Sequence, residues 1–278
     1  MTVVDTLTEL RRRLAVWRDS GTRIGLVPTM GNLHDGHLTL VEHCLDLADR
    51  SVVSLFVNPT QFNPGEDYEA YPRTIEEDLA ALERQGCDLA WIPSVETMYP
   101  LPEAFRLHVP PALADCLCGS SRPGHFDGVA TVVQRLFNQV QPDLAVFGEK
   151  DYQQLLVIRQ MVLDLAVPTD IVGVATVREP DGLAMSSRNG YLDEQQRRAA
   201  PTLYRVLATM AAGLAAGKEF EALQQRALEE LQANGLRPDY LEWRSAADLG
   251  TPGPDEPSRV FGAAWLGKAR LIDNVAIP

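Results

Sequence analysis

Four cysteines in 278 residues, Cys44, Cys87, Cys116 and Cys118, are too few and too scattered for a disulfide framework. Cys116-x-Cys118 has no second Cys/His pair at zinc spacing nearby, so structural thiols are expected rather than a metal site. The segment Met1-Thr2-Val3-Val4-Asp5 carries neither a basic n-region nor an apolar h-region. No apolar run approaches the roughly 18 residues that span a bilayer. The expected location is therefore the cytoplasm, with reduced thiols and no membrane partner. A formal net charge of −13 and a pI near 4.8 leave no basic stripe to displace counterions, which argues against nucleic acid. No internal repeat or low-complexity tract is visible, and no Gly-x-Ser-x-Gly elbow suggests a covalent serine intermediate.

The composition is that of a globular enzyme, 45% hydrophobic and 23% charged, on a chain long enough for two domains. The first two-thirds alternate short apolar runs with helical periodicity. Strands are predicted at 23–27, 51–57, 88–92 and 143–147, and helices at 6–19 and 74–85 and through Leu38-to-Ala48, Val129-to-Val140 and Leu155-to-Leu165. Such alternation implies right-handed crossovers and a Rossmann-like, doubly wound parallel sheet. Near Val177 the pattern changes to two helices and three antiparallel strands, a smaller C-terminal α+β domain. The expected boundaries are 1–176 for the doubly wound domain and 177–278 for the smaller one.

Pro28-Thr29-Met30-Gly31-Asn32-Leu33-His34-Asp35-Gly36-His37 follows the apolar run Ile24 to Val27 and leads into an amphipathic helix. A strand, a glycine-bearing turn and a helix start present N–H groups and the positive end of a macrodipole to an anion. His34 and His37, taken alone, are ordinarily a helix cap and a turn residue. Their spacing of three and the intervening Asp35-Gly36 do not fit the zinc-binding H-E-x-x-H helix. Gly31 and Gly36 allow close backbone approach, which suits a polyphosphate better than a metal. Asp181-Gly182-Leu183-Ala184-Met185-Ser186-Ser187-Arg188-Asn189 adds two hydroxyls and a fixed positive charge; by itself it is an ordinary polar loop. Joined to the histidine turn, it resembles the paired signatures of the adenylate-forming HxGH nucleotidyltransferase superfamily.

Three further segments occur in order: Phe56-Val57-Asn58-Pro59-Thr60-Gln61-Phe62, Arg122-Pro123-Gly124-His125-Phe126-Asp127-Gly128, and Phe147-Gly148-Glu149-Lys150-Asp151-Tyr152-Gln153-Gln154. With the two nucleotide signatures, the set resembles the pantoate–beta-alanine ligase (pantothenate synthetase) family from about Gly25 to Asn189. It continues more loosely through Leu271-Ile272-Asp273-Asn274. Cys118 stands where many relatives have glutamate, and the Met185–Arg188 loop lacks the lysines of the tRNA synthetase version.

The resemblance implies ATP-dependent condensation of pantoate with β-alanine through pantoyl adenylate, releasing pyrophosphate and AMP. It implies ATP as substrate, Mg²⁺ arriving with ATP rather than on fixed protein ligands, and a homodimer. His34, His37 and Lys150 are assigned to the phosphates as catalytic residues. Met30, Gly31, Gly36, Gly148, Glu149, Asp151, Val177, Met185, Ser186, Ser187 and Arg188 are expected to complete ATP binding. Gln61 and Gln154 are expected to read pantoate, with Asn58 and Arg122 beside them; Arg122 and His125 either shape the acid pocket or satisfy the turn. Glu77 and Asp78 are expected on a solvated helix face. A nucleotidylyltransferase acting on a phosphate ester, or a non-catalytic nucleotide sensor, are the competing readings; pantoate-dependent pyrophosphate exchange separates them.

Overall fold

The computed structural model describes residues 1–278, which divide into two compact units. The first comprises residues 1–110, 122–149 and 157–175. Six parallel strands form its sheet: Thr2–Val4 (β1), Ile24–Thr29 (β2), Arg50–Leu55 (β3), Leu89–Trp91 (β4), Leu144–Gly148 (β5) and Asp170–Val174 (β6). Their spatial order is β1-β4-β3-β2-β5-β6, with every pair parallel. The winding reverses between neighbours β2 and β5, and ligands on such sheets bind beyond the carboxyl ends at that point. The 28–37 turn leaves β2 there, and Gly148-Glu149 leaves β5.

The central strands are apolar because both faces are covered, as in the all-buried run Val52 to Leu55. On one face Val41 and Cys44 of the helix Asp35–Leu47 and Leu82 of the helix Ile75–Gln85 pack against Val27, Val53, Leu144 and Val146. The helix His125–Val140 is buried nearly all round, and its Gln139 side chain accepts the indole N–H of the fully buried Trp91 at 3.1 Å. Burying each large apolar side chain contributes about 1.5–3 kcal/mol before entropy.

Two strands lie outside the sequence expectation. β1 is a three-residue edge strand, and β6 is an edge strand with a mostly half-exposed pattern broken by Gly173. An edge strand has a neighbour on one side only and is less fully covered, so it carries no long continuous apolar run for periodicity to mark.

The second unit comprises residues 111–121, 150–156 and 176–278. Its sheet is antiparallel: Arg237–Ser245 (β7), Ser258–Leu266 (β8) and Ala269–Ala276 (β9). Leu203, Val206, Leu207 and Met210 of the helix Thr202–Ala215 join Leu223 and Leu231 of the helix Phe220–Ala233 in one core with Leu241, Val260 and Leu271. A six-stranded parallel α/β unit followed by a smaller antiparallel one is the architecture the alternation implies. No helix is long and apolar enough to cross a membrane.

Candidate active site

In the first unit, His34 caps the helix Asp35–Leu47 from an extended backbone conformation. Its main-chain N–H donates to Nδ1 of His37 at 3.4 Å, and the two rings lie 4.1 Å apart. With Nδ1 accepting, a neutral His37 ring carries its proton on Nε2 and presents that N–H as a donor. The spacing of three residues thus places both rings together at a helix start.

The turn is held from below by a residue that the sequence misassigns. Glu77 is exposed, as expected of a solvated helix face, but Asp78 is 3% exposed. Its two carboxylate oxygens accept the N–H groups of Asn32 and Leu33, each at 2.8 Å, and a third bond comes from Thr74 Oγ1 at 3.3 Å. Asp78 is in phase with Leu79 and Leu82, on the stripe that faces inward, and this phase is the signal that could have identified it.

Beside this turn stands the segment 58–61. Gln61 donates from Nε2 to Sδ of Met30 at 3.0 Å and accepts from Asn58 Nδ2 at 3.1 Å. Its carbonyl faces His125 Nδ1 at 2.7 Å and accepts from Arg122 Nη2 at 3.3 Å. Asn58 is 1% exposed and also bonds Gly128 O at 3.2 Å and Tyr99 Oη at 2.7 Å. Gly128 is needed for close approach: a Cβ there would lie 2.2 Å from the Thr60 carbonyl oxygen. Arg122 is committed to Glu66 through two bonds, at 2.7 and 2.5 Å. Burial raises the Glu66 pKa, but the hydrogen bond and charge of Arg122 prevail and hold it below the usual carboxylate value. Asn58, Arg122 and His125 therefore act on Gln61, by fixing its backbone and amide. Glu66 and Tyr99 belong to the same support and carry no sequence signal of their own.

In the second unit, residues 177–185 form a hairpin in which Arg178 pairs with Ala184, and the Met185 N–H donates to the Val177 carbonyl at 3.0 Å. Gly182 turns it at φ +92°. Ser186 then caps a short helical turn, Ser187–Tyr191, accepting the Arg188 N–H at 3.3 Å, while Asn189 Nδ2 donates to Ala184 O at 3.1 Å. A small cavity is lined by Lys150, Ser186 and Asn189 against Leu203, Tyr204 and Leu271. Lys150 and Ser186, from segments far apart in the chain, thus share one cavity. The Lys150 side chain is only 19% exposed and its ammonium lies 3.8 Å from Asp151. Gln154 is half-buried at the start of the helix Tyr152–Asp164.

The groups beyond β2 and those in this cavity each suit an anion. An imidazole N–H donor at a helix start favours charge developing on a leaving oxygen, and a sheltered ammonium with hydroxyls favours a polyanion. No group of three or more His, Cys, Asp or Glu side chains is placed to hold a metal ion.

Comparison with known proteins points to one family. The family model described as pantoate-beta-alanine ligase matches residues 2–276. Pantothenate synthetase from Alkalilimnicola ehrlichii is 57% identical over 273 residues, covering 97% of this chain and 95% of the relative. The Pseudomonas aeruginosa pantothenate synthetase is 54% identical, covering 100% and 99%. Among solved structures, pantothenate synthetase from Thermus thermophilus superposes with a TM-score of 0.94 at 47% identity, covering 100% of this chain and 99% of that one. A Francisella tularensis pantoate-beta-alanine ligase, solved with β,γ-ATP and β-alanine, gives 0.84 at 33% identity, covering 99% and 97%.

Proposed function

The chain belongs to the pantoate-beta-alanine ligase family, and from that premise we propose that it joins pantoate to β-alanine through a pantoyl-adenylate intermediate, consuming ATP. Pantoate carboxylate attacks the α-phosphorus, the bond to the bridging oxygen breaks, and pyrophosphate departs. The amine of β-alanine then attacks the acyl carbon, the bond to AMP breaks, and the amine proton is lost to solvent. The observation that supports this reading is that Lys150 and Ser186, from segments far apart in the chain, line one small cavity, the ammonium and hydroxyl that a polyphosphate calls for.

A carboxylate is a weak nucleophile and ATP repels it, so neutralising charge and aligning the attack are the main tasks. His34, His37, Lys150 and Arg188 supply the charge and donors for ATP. His37 Nε2–H donates to the departing pyrophosphate. Met30, Gly31, Gly36, Gly148, Glu149, Asp151 and Met185 border the nucleotide, with Val177 at the adenine and Ser186 and Ser187 at the β- and γ-phosphates. Mg²⁺ enters with ATP, its ligands coming from the phosphates. Gln61 and Gln154 read pantoate through neutral amides, which hold a hydroxy acid without an ion pair to break on release. The solved Francisella relative, named for ATP and β-alanine, supports the same two ligands here. The enzyme is proposed to work as a cytoplasmic homodimer.

The test is ATP–pyrophosphate exchange with and without pantoate, followed by AMP release on adding β-alanine. Exchange that requires pantoate is expected. His37→Ala or Lys150→Ala should each lower the single-turnover rate by on the order of 10²–10³. Exchange with a phosphorylated acceptor instead, or near-native single-turnover rates in both variants, would refute the assignment.

A further inference from the structure

The tract Leu271-Ile272-Asp273-Asn274 lies on β9 and borders the cavity shared by Lys150 and Ser186, yet none of its residues is assigned a role above. Its last two residues are both buried, Asp273 at 5% exposure and Asn274 at 2%. Neighbours on a strand point to opposite faces, so two successive polar side chains buried together each require a polar partner of their own. The partners lead to two different parts of the ATP-binding set.

Asp273 takes both arms of Arg178, at 2.6 and 3.0 Å. Arg178 also donates to the Gly182 carbonyl at 3.1 Å and stacks 3.9 Å from the ring centre of Tyr204. It is the residue that pairs with Ala184, so this ion pair grips the hairpin from which Met185–Arg188 emerges. Asn274 donates from Nδ2 to the main-chain carbonyl of Lys150 at 3.1 Å. Its Oδ1 accepts from Arg259 Nε at 2.7 Å, and its own N–H donates to Asp273 Oδ1 at 2.8 Å. Arg259 in turn lies over Tyr152, 4.2 Å from the ring centre.

One dipeptide therefore holds the backbone of Lys150 and the root of the serine loop. The bond to Lys150 reaches its carbonyl, so it fixes where the side chain begins and leaves the ammonium available to an anion. The fork of Arg178 is occupied by Asp273, which makes it a brace rather than a phosphate ligand. As a source of stability the arrangement is poor, because a buried ion pair gives little over well-packed apolar residues of similar volume. Its strength is geometric specification.

We propose that Asp273 and Asn274 are positioning residues that set Lys150 and the Ser186–Arg188 loop in register for the phosphates. The inference rests on the reading that these two segments bind ATP.

The experiment measures pantoate-dependent pyrophosphate exchange and thermal unfolding of the full chain carrying Asn274→Ala, Asn274→Asp and Asp273→Asn. Asn274→Asp keeps the size and the acceptor for Arg259 while losing the donor to Lys150, so it guards against simple misfolding. In each variant, kcat/KM for ATP should fall roughly ten- to hundredfold while the KM for pantoate changes less than about twofold. In a Lys150→Ala background, Asn274→Ala should add little further loss in MgATP affinity by calorimetry. Variants that lose only active fraction or melting temperature, with the ATP parameters of the remainder unchanged, overturn the proposal and leave the ATP reading intact. Fully additive effects of Asn274→Ala and Lys150→Ala overturn it as well. Absence of pantoate-dependent exchange in the unmutated enzyme defeats both.

Discussion

Asp78 accepts the main-chain N–H of Leu33 at 2.8 Å, across 45 positions of sequence. Its other oxygen takes the N–H of Asn32 at the same distance. A carboxylate bound to two consecutive N–H groups fixes the path of the chain one residue before His34. Removing it leaves buried donors without acceptors, at about 1–3 kcal/mol for each N–H. Asp78→Ala is therefore expected to lower the urea-unfolding free energy by that order and to weaken MgATP binding several-fold, with Asp78→Asn intermediate. Unchanged stability and ATP affinity in Asp78→Ala would show that the turn holds itself.

The contact of Gly128 with Thr60 predicts an effect on the acid substrate alone. A methyl group there would lie 2.2 Å from a carbonyl oxygen, so either the helix His125–Val140 or the 58–61 segment must move. Overpacking of this kind costs typically about 1–3 kcal/mol. Gly128→Ala should displace Gln61 and raise the apparent constant for pantoate while MgATP affinity stays near native. Equal losses for both ligands in calorimetric titrations would separate Gln61 from pantoate.

The Glu66–Arg122 pair predicts a pH dependence with a definite sign. Glu66 has its folded-state pKa below the unfolded value, because the bonds and charge of Arg122 outweigh burial. A group shifted this way contributes its full stability above the unfolded pKa and loses it as pH falls through the folded one. The difference in stability between the native chain and Glu66→Gln should be largest near neutral pH and shrink progressively below about pH 4. A difference independent of pH would mean that the pair contributes through packing alone.

Cys44 is fully buried, and burial pushes its thiol up to about 12. The thiolate is the reactive form, so Cys44 should resist iodoacetamide at neutral pH in the folded protein and label once the chain is unfolded. Burial also raises Cys87, which should follow the same course. Peptide mass spectrometry reads both sites, and rapid labelling under native conditions would contradict the packing around β2.

Much of the fold is legible in the chain because its signals are local. The apolar run ahead of Pro28, the stripe through Val129, Val133, Leu136 and Val140, and the proline break at 252–254 each mark an element within a few residues. The edge strands β1 and β6 escape because a strand with a single neighbour carries too short a pattern. At the site, the spacing of His34 and His37 places two rings at a helix start directly. Asp78 escapes because the charge of an aspartate outweighs its position when the stripe is read by residue type.

The sequence by itself determined the order of the central strands and the long helices, the strand-end positions of the histidine turn and the Gly148-Glu149-Lys150 segment, and the family. All of these depend on periodicity and on motifs written contiguously. Only the tertiary structure decided which polar groups support the site: Asp78 under Asn32 and Leu33, Arg122 on Glu66, Asn274 on the carbonyl of Lys150. The physical reason is that buried hydrogen-bonding groups must be satisfied wherever folding brings a partner, and these partners lie 45 to 124 positions apart.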